Sequence, residues 1–290
     1  MADQRIVNLC NVAVVILTLD EERNLPHALE SVRDWADEIF VLDSFSTDRT
    51  LEIAREAGCV VVQNAFVDYA KQRNFAIEQL PIRAEWVFFL DADEWLTDEL
   101  KFEISQVVSR RPTENGFYVK RRMIWMGRWM RRGYYPTWIL RMFRRERGRC
   151  EDRAVNEHLI VEGRTGYLTN DFVHEDHKGL GDWIDKHNRY ATREAVELLA
   201  QDVSLKQEEI AARFTGTQAE RKRWLRYRIW GRLPPLLRPL FYFIYRYVLT
   251  GAFLEGRAAF VFHFLHALWY PLLIDAKYLE MRRAARKASE

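Results

Sequence analysis

Cysteine is scarce in this chain: three residues in 290, Cys10, Cys59 and Cys150, far apart and with no CxxC pair. An odd, sparse count excludes a disulfide framework and a structural zinc ribbon, and fits a reducing compartment. The opening MADQRIVNLC lacks the basic start and apolar run of a signal peptide, so a cytosolic location is expected. No stretch reaches the ~18–20 uncharged apolar residues of a spanning helix, although the C-terminal third comes close. Net charge is also small, +2, with 48% hydrophobic and 30% charged residues. That balance excludes disorder as the main state. Internal repeats and low-complexity linkers are absent too.

What the first hundred residues do contain is an alternation of strand and helix signals. Val12–Leu19 is a β-branched apolar run, followed by a helix that Asn24 can cap, with Pro26 in its first turn. Ile39–Leu42 is a second strand, Ser46 or Thr47 can cap the next helix, and Gly58 stops it. Val60–Val62, a helical segment around Tyr69–Leu80, and Trp86–Leu90 complete the pattern. Such alternation with near-continuous apolar strands predicts an α/β fold on a mainly parallel sheet. Further strands are expected at Gly116–Arg122 and Trp138–Arg144, and a helix at Leu180–Leu199.

Ligands of open parallel sheets bind beyond the carboxyl ends of the strands. Three acidic groups fall there: Asp20-Glu21-Glu22, Asp43 with Asp48, and Asp91-Ala92-Asp93-Glu94. Paired carboxylates leaving the core after a strand suit Mg²⁺ or Mn²⁺ carrying a diphosphate. A solvated loop whose acids cap the next helix explains an isolated Asp-x-Asp equally well. A haloacid-dehalogenase reading fits poorly, since Trp95 stands where Thr or Val is wanted and the motif follows the fourth strand.

Taken in order, Thr18-Leu19-Asp20-Glu21-Glu22-Arg23-Asn24, Asp43-Ser44-Phe45-Ser46-Thr47-Asp48, Gln72-Arg73-Asn74 and Asp91-Ala92-Asp93-Glu94 resemble family 2 glycosyltransferases of the GT-A fold. The branch that includes lipopolysaccharide-core glucosyltransferases is the most similar. The resemblance is strong over residues 12–98 and looser to about 192. It implies donor contacts at Thr18, Asp20, Glu22, Asp43, Ser44, Asp48, Asp91 and Ala92, with Lys71 and Arg73 near the diphosphate. Surface salt bridges account for Lys71 and Arg73 equally well. It further implies a metal held by Asp91 and Asp93, completed by His174 at the end of Phe172-Val173-His174, and a general base at Glu157 in Ala154-Val155-Asn156-Glu157-His158. The alternatives are a structural histidine and an ordinary strand-end carboxylate. Two departures stand out: Asp20 where the family usually has Asn, and Phe45 where it has Gly. The second predicts an altered or strained turn.

Between Tyr118 and Arg149 basic residues outnumber the single acid, Glu146, and Trp125, Trp129, Tyr134, Tyr135 and Trp138 interleave with them. Arginine forks bind phosphate and aromatic rings stack on sugars, so a phosphorylated glycolipid or lipopolysaccharide-core acceptor is expected there. Nucleic acid is the rival ligand and ranks below it, as no recognised nucleic-acid motif is present. From Arg221 the chain is basic, aromatic and apolar together, which suits helices lying at the inner face of the plasma membrane on anionic lipid. A buried helical subdomain or a homo-oligomer interface is the competing reading.

The expected organisation is a GT-A domain over residues 1–200, with a nucleotide-binding half at about 10–112 and an acceptor-binding half at about 113–200, then a membrane-docking region over 201–290. The expected activity is inverting transfer of a hexose from a nucleotide-sugar, most simply a UDP-sugar. A sugar nucleotidyltransferase would instead show a Gly-rich basic loop where this chain has LDEERNLP. The non-enzymatic rival is a basic membrane-binding module.

Overall fold

The structure is a computed structural model that describes residues 11–151, 158–203 and 233–289. Its contacts divide the chain into two units: residues 1–123 with 136–177, and residues 124–135 with 178–290.

The first unit is built on β1 (Val12–Thr18), β2 (Glu38–Asp43), β3 (Val60–Gln63) and β4 (Trp86–Asp91). These pair in parallel in the order β3-β2-β1-β4. Their apolar runs are continuous because both faces are covered: Val12, Val14 and Ile16 pack into one core, and Ala13 and Val15 into another. Helices α1 (Leu25–Val32), α2 (Thr50–Glu56) and α3 (Tyr69–Gln79) join the strands. The sheet continues through β8 (Thr137–Arg144), antiparallel to β4, then β6 (Gly116–Trp125), β11 (Thr165–His174) and the short β5 (Glu94–Leu96). Strand β9 (Gly148–Cys150) pairs β10 (Leu159–Val161); β7 (Arg128–Trp129), which belongs to the second unit, pairs Ile124 and Trp125. Helix α4 (Asp98–Ser109) starts at Thr97, whose hydroxyl accepts the Leu100 N–H. The α/β class, the four parallel strands and the strands at 116 and 138 form as expected; α4, β5 and β11 are additions.

Two expected caps are placed differently. Asn24 makes no side-chain cap on α1; its amide nitrogen donates to Glu21 and Asp176, and its oxygen accepts the His177 N–H. A long-range tie has outcompeted the local one. Helix α2 begins not at Ser46 or Thr47 but after Arg49, with Asp48 accepting the Thr50 N–H at 2.9 Å. Gly58 does end α2, at φ +76°.

In the second unit, α5 (Leu180–Val203) packs on α8 (Tyr270–Ser289), with Tyr270 donating to Glu194 and Lys277 donating to Asn188 and Thr192. Helix α6 (Arg238–Phe243) runs into a π-helical turn over Ile244–Leu249, and α7 (Arg257–His263) into another over Phe264–Trp269. The polarity of this hairpin is inverted. Arg238 is turned inward onto buried Asp275, and Arg246 lies over the Tyr134 and Tyr242 rings. Facing outward are Leu237, Phe241, Ile244, Val248, Leu249, Phe253 and Leu254. From 236 to 272, Arg257 is the one charged residue among the exposed ones. The helix Arg257–Lys287 is long and apolar enough, by length and composition, to cross a membrane, with 33% of its most apolar window buried.

Candidate active site

The loops that leave β1 and β2 are tied to each other along their length. Asp20 N–H donates to Ser46 Oγ (2.8 Å), Glu21 N–H to Thr50 Oγ1 (2.7 Å), and Glu22 N–H to Asp48 Oδ2 (3.0 Å). In return, Asp20 accepts the Thr47 N–H and Glu22 accepts the Arg49 N–H. The carboxylates of Asp20, Glu22 and Asp48 therefore shape the loops themselves. Asp43 is fully buried at the base of this array. Its Oδ1 accepts from Thr18 Oγ1 at 3.0 Å and from Ser46 Oγ, and its Oδ2 from Ser46 N–H at 2.9 Å and Gln63 Nε2 at 3.1 Å. A carboxylate offers about four acceptor positions, and all are used within the chain. Ser44 accepts from Gln72.

The residues flanking Phe45 are thus held, and Phe45 itself sits at φ +63°, with Asp20 at +53°. Asp tolerates that region through local hydrogen bonding, whereas a phenylalanine there costs about 1–2 kcal/mol. The strained turn that the Gly-to-Phe departure predicted is present.

At the end of β4, a tight turn carries Asp91, Ala92, Asp93 and Glu94; Glu94 Oε2 accepts the Asp91 N–H at 3.0 Å. Strand β11 runs antiparallel to β5, pairing His174 with Glu94, so His174 Nδ1 lies 3.5 Å from Asp93 Oδ1 and 3.7 Å from Glu94 Oε1. One ligand atom from each of Asp93, Glu94 and His174 lies within 4.8 Å of the others. Asp91 joins arginines instead: Arg73 at 3.2 Å on Oδ1 and Arg141 at 2.8 Å on Oδ2. Arg141, buried, also holds Glu94 at 2.6 Å. Burial opposes the charge on Asp91, but Arg141 and Arg73 outweigh it and hold the carboxyl well below the usual carboxylate range. Burial pushes the Arg121 guanidinium down, against the pull of Glu94. Three arginines and three carboxylates thus share the end of β4.

Of the residues expected to hold a metal, Asp93 and His174 meet, and Asp91 faces the two arginines. The exposed Lys71 makes an ion pair with the buried Asp68 at 3.7 Å. Glu157 lies outside the described residues, as do its neighbours Ala154–Asn156. The site also contains Glu94, read in the sequence as part of the acidic group after the fourth strand but not as a metal ligand, and Arg141, which the sequence did not place there. Arg141 read as part of a basic surface, and only the pairing of β8 with β4 reveals its burial. Arg144 and Arg145 are likewise spent internally, on Glu85 with the Trp86 ring, and on the Ile82 carbonyl oxygen.

A parallel sheet with acids beyond the ends of three neighbouring strands, beside a carboxylate–histidine pair and guanidinium groups, has the layout of an open-sheet ligand site. The chain matches the model of "Glycosyl transferase family 2" over residues 13–157, and it belongs to that family. It is a glycosyltransferase with the α/β, GT-A architecture. It is 31% identical to the lipopolysaccharide core biosynthesis glycosyltransferase LpsC of Rhizobium meliloti, over 63% of this chain and 70% of that protein. An uncharacterized glycosyltransferase of Rickettsia typhi is 26% identical over 66% of this chain and 68% of its own length. The solved structure of S. aureus TarS 1–349 superposes over 96% of this chain and 91% of that one, at a TM-score of 0.47 and 14% identity.

Proposed function

We propose that the chain transfers a hexose from a nucleotide-sugar, in the first instance a UDP-sugar, with inversion, onto a lipid-linked or lipopolysaccharide-core saccharide. The observation that carries this is the mixed cluster at the end of β4. His174 Nδ1 is buried and makes no hydrogen bond, and Asp93 lies beside it. Donor atoms on one octahedral dication lie about 3 Å apart when adjacent and about 4 Å apart when opposite, and the 3.5 Å between His174 Nδ1 and Asp93 Oδ1 falls between the two. Asp93 and His174 are therefore suited to hold Mg²⁺ or Mn²⁺, while both oxygens of Glu94 are engaged by Arg141 and the Asp91 N–H. When bound, the ion would neutralise charge on the departing diphosphate.

The chain's own residues do the rest. Arg141 fixes Asp91 and Glu94, so neither carboxylate swings into the ligand's place. Arg73 and Arg121 add positive charge where the diphosphate oxygens would lie. The tied loops after β1 and β2, with Asp20, Glu22, Ser44 and Asp48, frame the nucleoside, and Asp43 holds that frame from below. Glu157 takes the proton of the acceptor hydroxyl as that oxygen attacks the anomeric carbon and the nucleoside diphosphate leaves from the opposite face. The name of LpsC supports an envelope saccharide as acceptor.

The inverted hairpin of the second unit supports action at a membrane surface: outward apolar residues with inward charges suit lipid rather than water. We place it on the inner face of the plasma membrane, on anionic lipid.

The test is single-turnover release of nucleoside diphosphate from nucleotide-sugars in the presence of a lipid-linked acceptor. Glu157→Gln should lower the rate about 10²-fold or more with donor affinity kept, the usual worth of general base catalysis. Unchanged turnover in that variant would remove Glu157 from the reaction, and no turnover of any donor by the wild type would remove the reaction itself.

A further inference from the structure

We propose that the Phe45 ring is a stacking face for the base of the bound nucleotide, and so a determinant of which nucleotide is accepted. The inference rests on the donor reading above.

Phe45 is 56% exposed, and it makes no ring–ring or cation–π contact among the described residues. Its backbone is nonetheless held at φ +63°, where glycine or asparagine would sit without strain. The surroundings over-determine that conformation. Ser44 N–H donates to the Thr18 carbonyl oxygen at 2.9 Å, and Ser46 N–H and hydroxyl both donate to buried Asp43. Ser46 in turn accepts the Asp20 N–H from the neighbouring loop. A bulky side chain is therefore held more than half exposed, in a strained turn, with no aromatic or cationic partner among the described residues. Strain of that kind is tolerated where a ligand supplies the missing contact.

Place identifies the ligand. Phe45 follows β2, and the Asp93–His174 pair and the arginines follow β4; β1 lies between them. Two strand spacings separate the ends by about 10 Å. With the diphosphate at the β4 end, a ribose bridges that gap and the planar base arrives over the β2 loop. A phenyl ring offers a base the apolar face that the surrounding acids and hydroxyls do not.

Three variants test this by calorimetry, using UDP, uridine, and inorganic pyrophosphate with Mn²⁺ as probes. Phe45→Asn keeps the left-handed backbone without the ring. It should weaken UDP and uridine by ~5-fold or more, the ordinary size of base–aromatic stacking, and leave pyrophosphate binding unchanged. Phe45→Trp should retain UDP affinity. Phe102→Ala removes an exposed ring on α4 and should change none of the three. The melting temperature of Phe45→Asn should equal or exceed that of the wild type. Equal UDP affinity in Phe45→Asn and the wild type would overturn the inference while leaving the donor reading intact. A clear fall in melting temperature would assign the ring to packing instead. A wild-type chain that binds pyrophosphate with Mn²⁺ but no nucleotide would overturn the donor reading, and this inference with it.

Discussion

Replacing Asp43 by Asn tests whether the donor frame depends on one buried carboxylate. Four donors converge on Asp43: the Thr18 and Ser46 hydroxyls, the Ser46 N–H and the Gln63 amide. Asparagine keeps one acceptor oxygen and presents an NH₂ in place of the other. If the oxygen faces Ser46 N–H and Gln63, the NH₂ meets two hydroxyls, which can rotate to accept. Ser46 Oγ already accepts the Asp20 N–H, so its own proton loses its partner. One hydrogen bond is lost and a second is weakened at a fully buried position, a cost of about 1–2 kcal/mol. Alanine leaves the Ser46 N–H and Gln63 Nε2 unsatisfied as well, and should cost about 3 kcal/mol or more. For a unit of this size the asparagine variant should melt about 2–8 °C lower. Urea denaturation followed by near-UV circular dichroism gives the comparison. Equal midpoints for wild type, Asn and Ala would refute the view that this carboxylate organises both loops.

Acid should loosen the β11 side of the sheet through Glu103. Burial opposes its charge, but the N–H groups and side chains of Thr169 and Asn170 outweigh this and lower its pKa. A lowered folded pKa means stability that is present above the unfolded value of about 4.3 and lost as pH falls through the folded one. Glu103→Ala should therefore lower the melting temperature clearly at pH 7 and much less near pH 3; equal losses at both would contradict the assignment. At the membrane, flotation with anionic vesicles should be strong at low salt and weaker at high salt, since the exposed Arg282, Arg283, Arg286 and Lys287 of α8 can each add about 1 kcal/mol. Phe253→Asp with Leu254→Asp, both outward-facing, should reduce it without changing α5–α8 packing; unchanged flotation would point away from this face.

The parallel strands were legible because burial on both faces demands unbroken apolar runs, as in Val12–Thr18 and Trp86–Asp91. The acids that follow them were legible for the same reason: each marks where the chain leaves the core. Pairings between distant segments were not. Asn24 has the chemistry of a helix cap, yet it binds Asp176 and His177, a choice set by tertiary proximity. Arg141 looks like its basic neighbours in sequence, and burial beside Asp91 and Glu94 distinguishes it. His174 was identified by resemblance, but its neighbour Glu94 comes from strand register. Helix α4, with its Thr97 cap, carried a readable start signal that the acid-rich motif before it obscured.

The proposed donor site depends on a divalent cation held by Asp93 and His174, through which a nucleotide-sugar would be bound. Isothermal titration of the full chain with UDP-sugar, with Mn²⁺ and then with chelator, tests it most directly. Binding should require the cation, and Asp93→Ala should weaken it by about tenfold or more while the urea midpoint stays at the wild-type value. Affinity that is the same with and without Mn²⁺, or the same in Asp93→Ala as in the wild type, would rule out a cation on Asp93 and His174 as the donor's anchor.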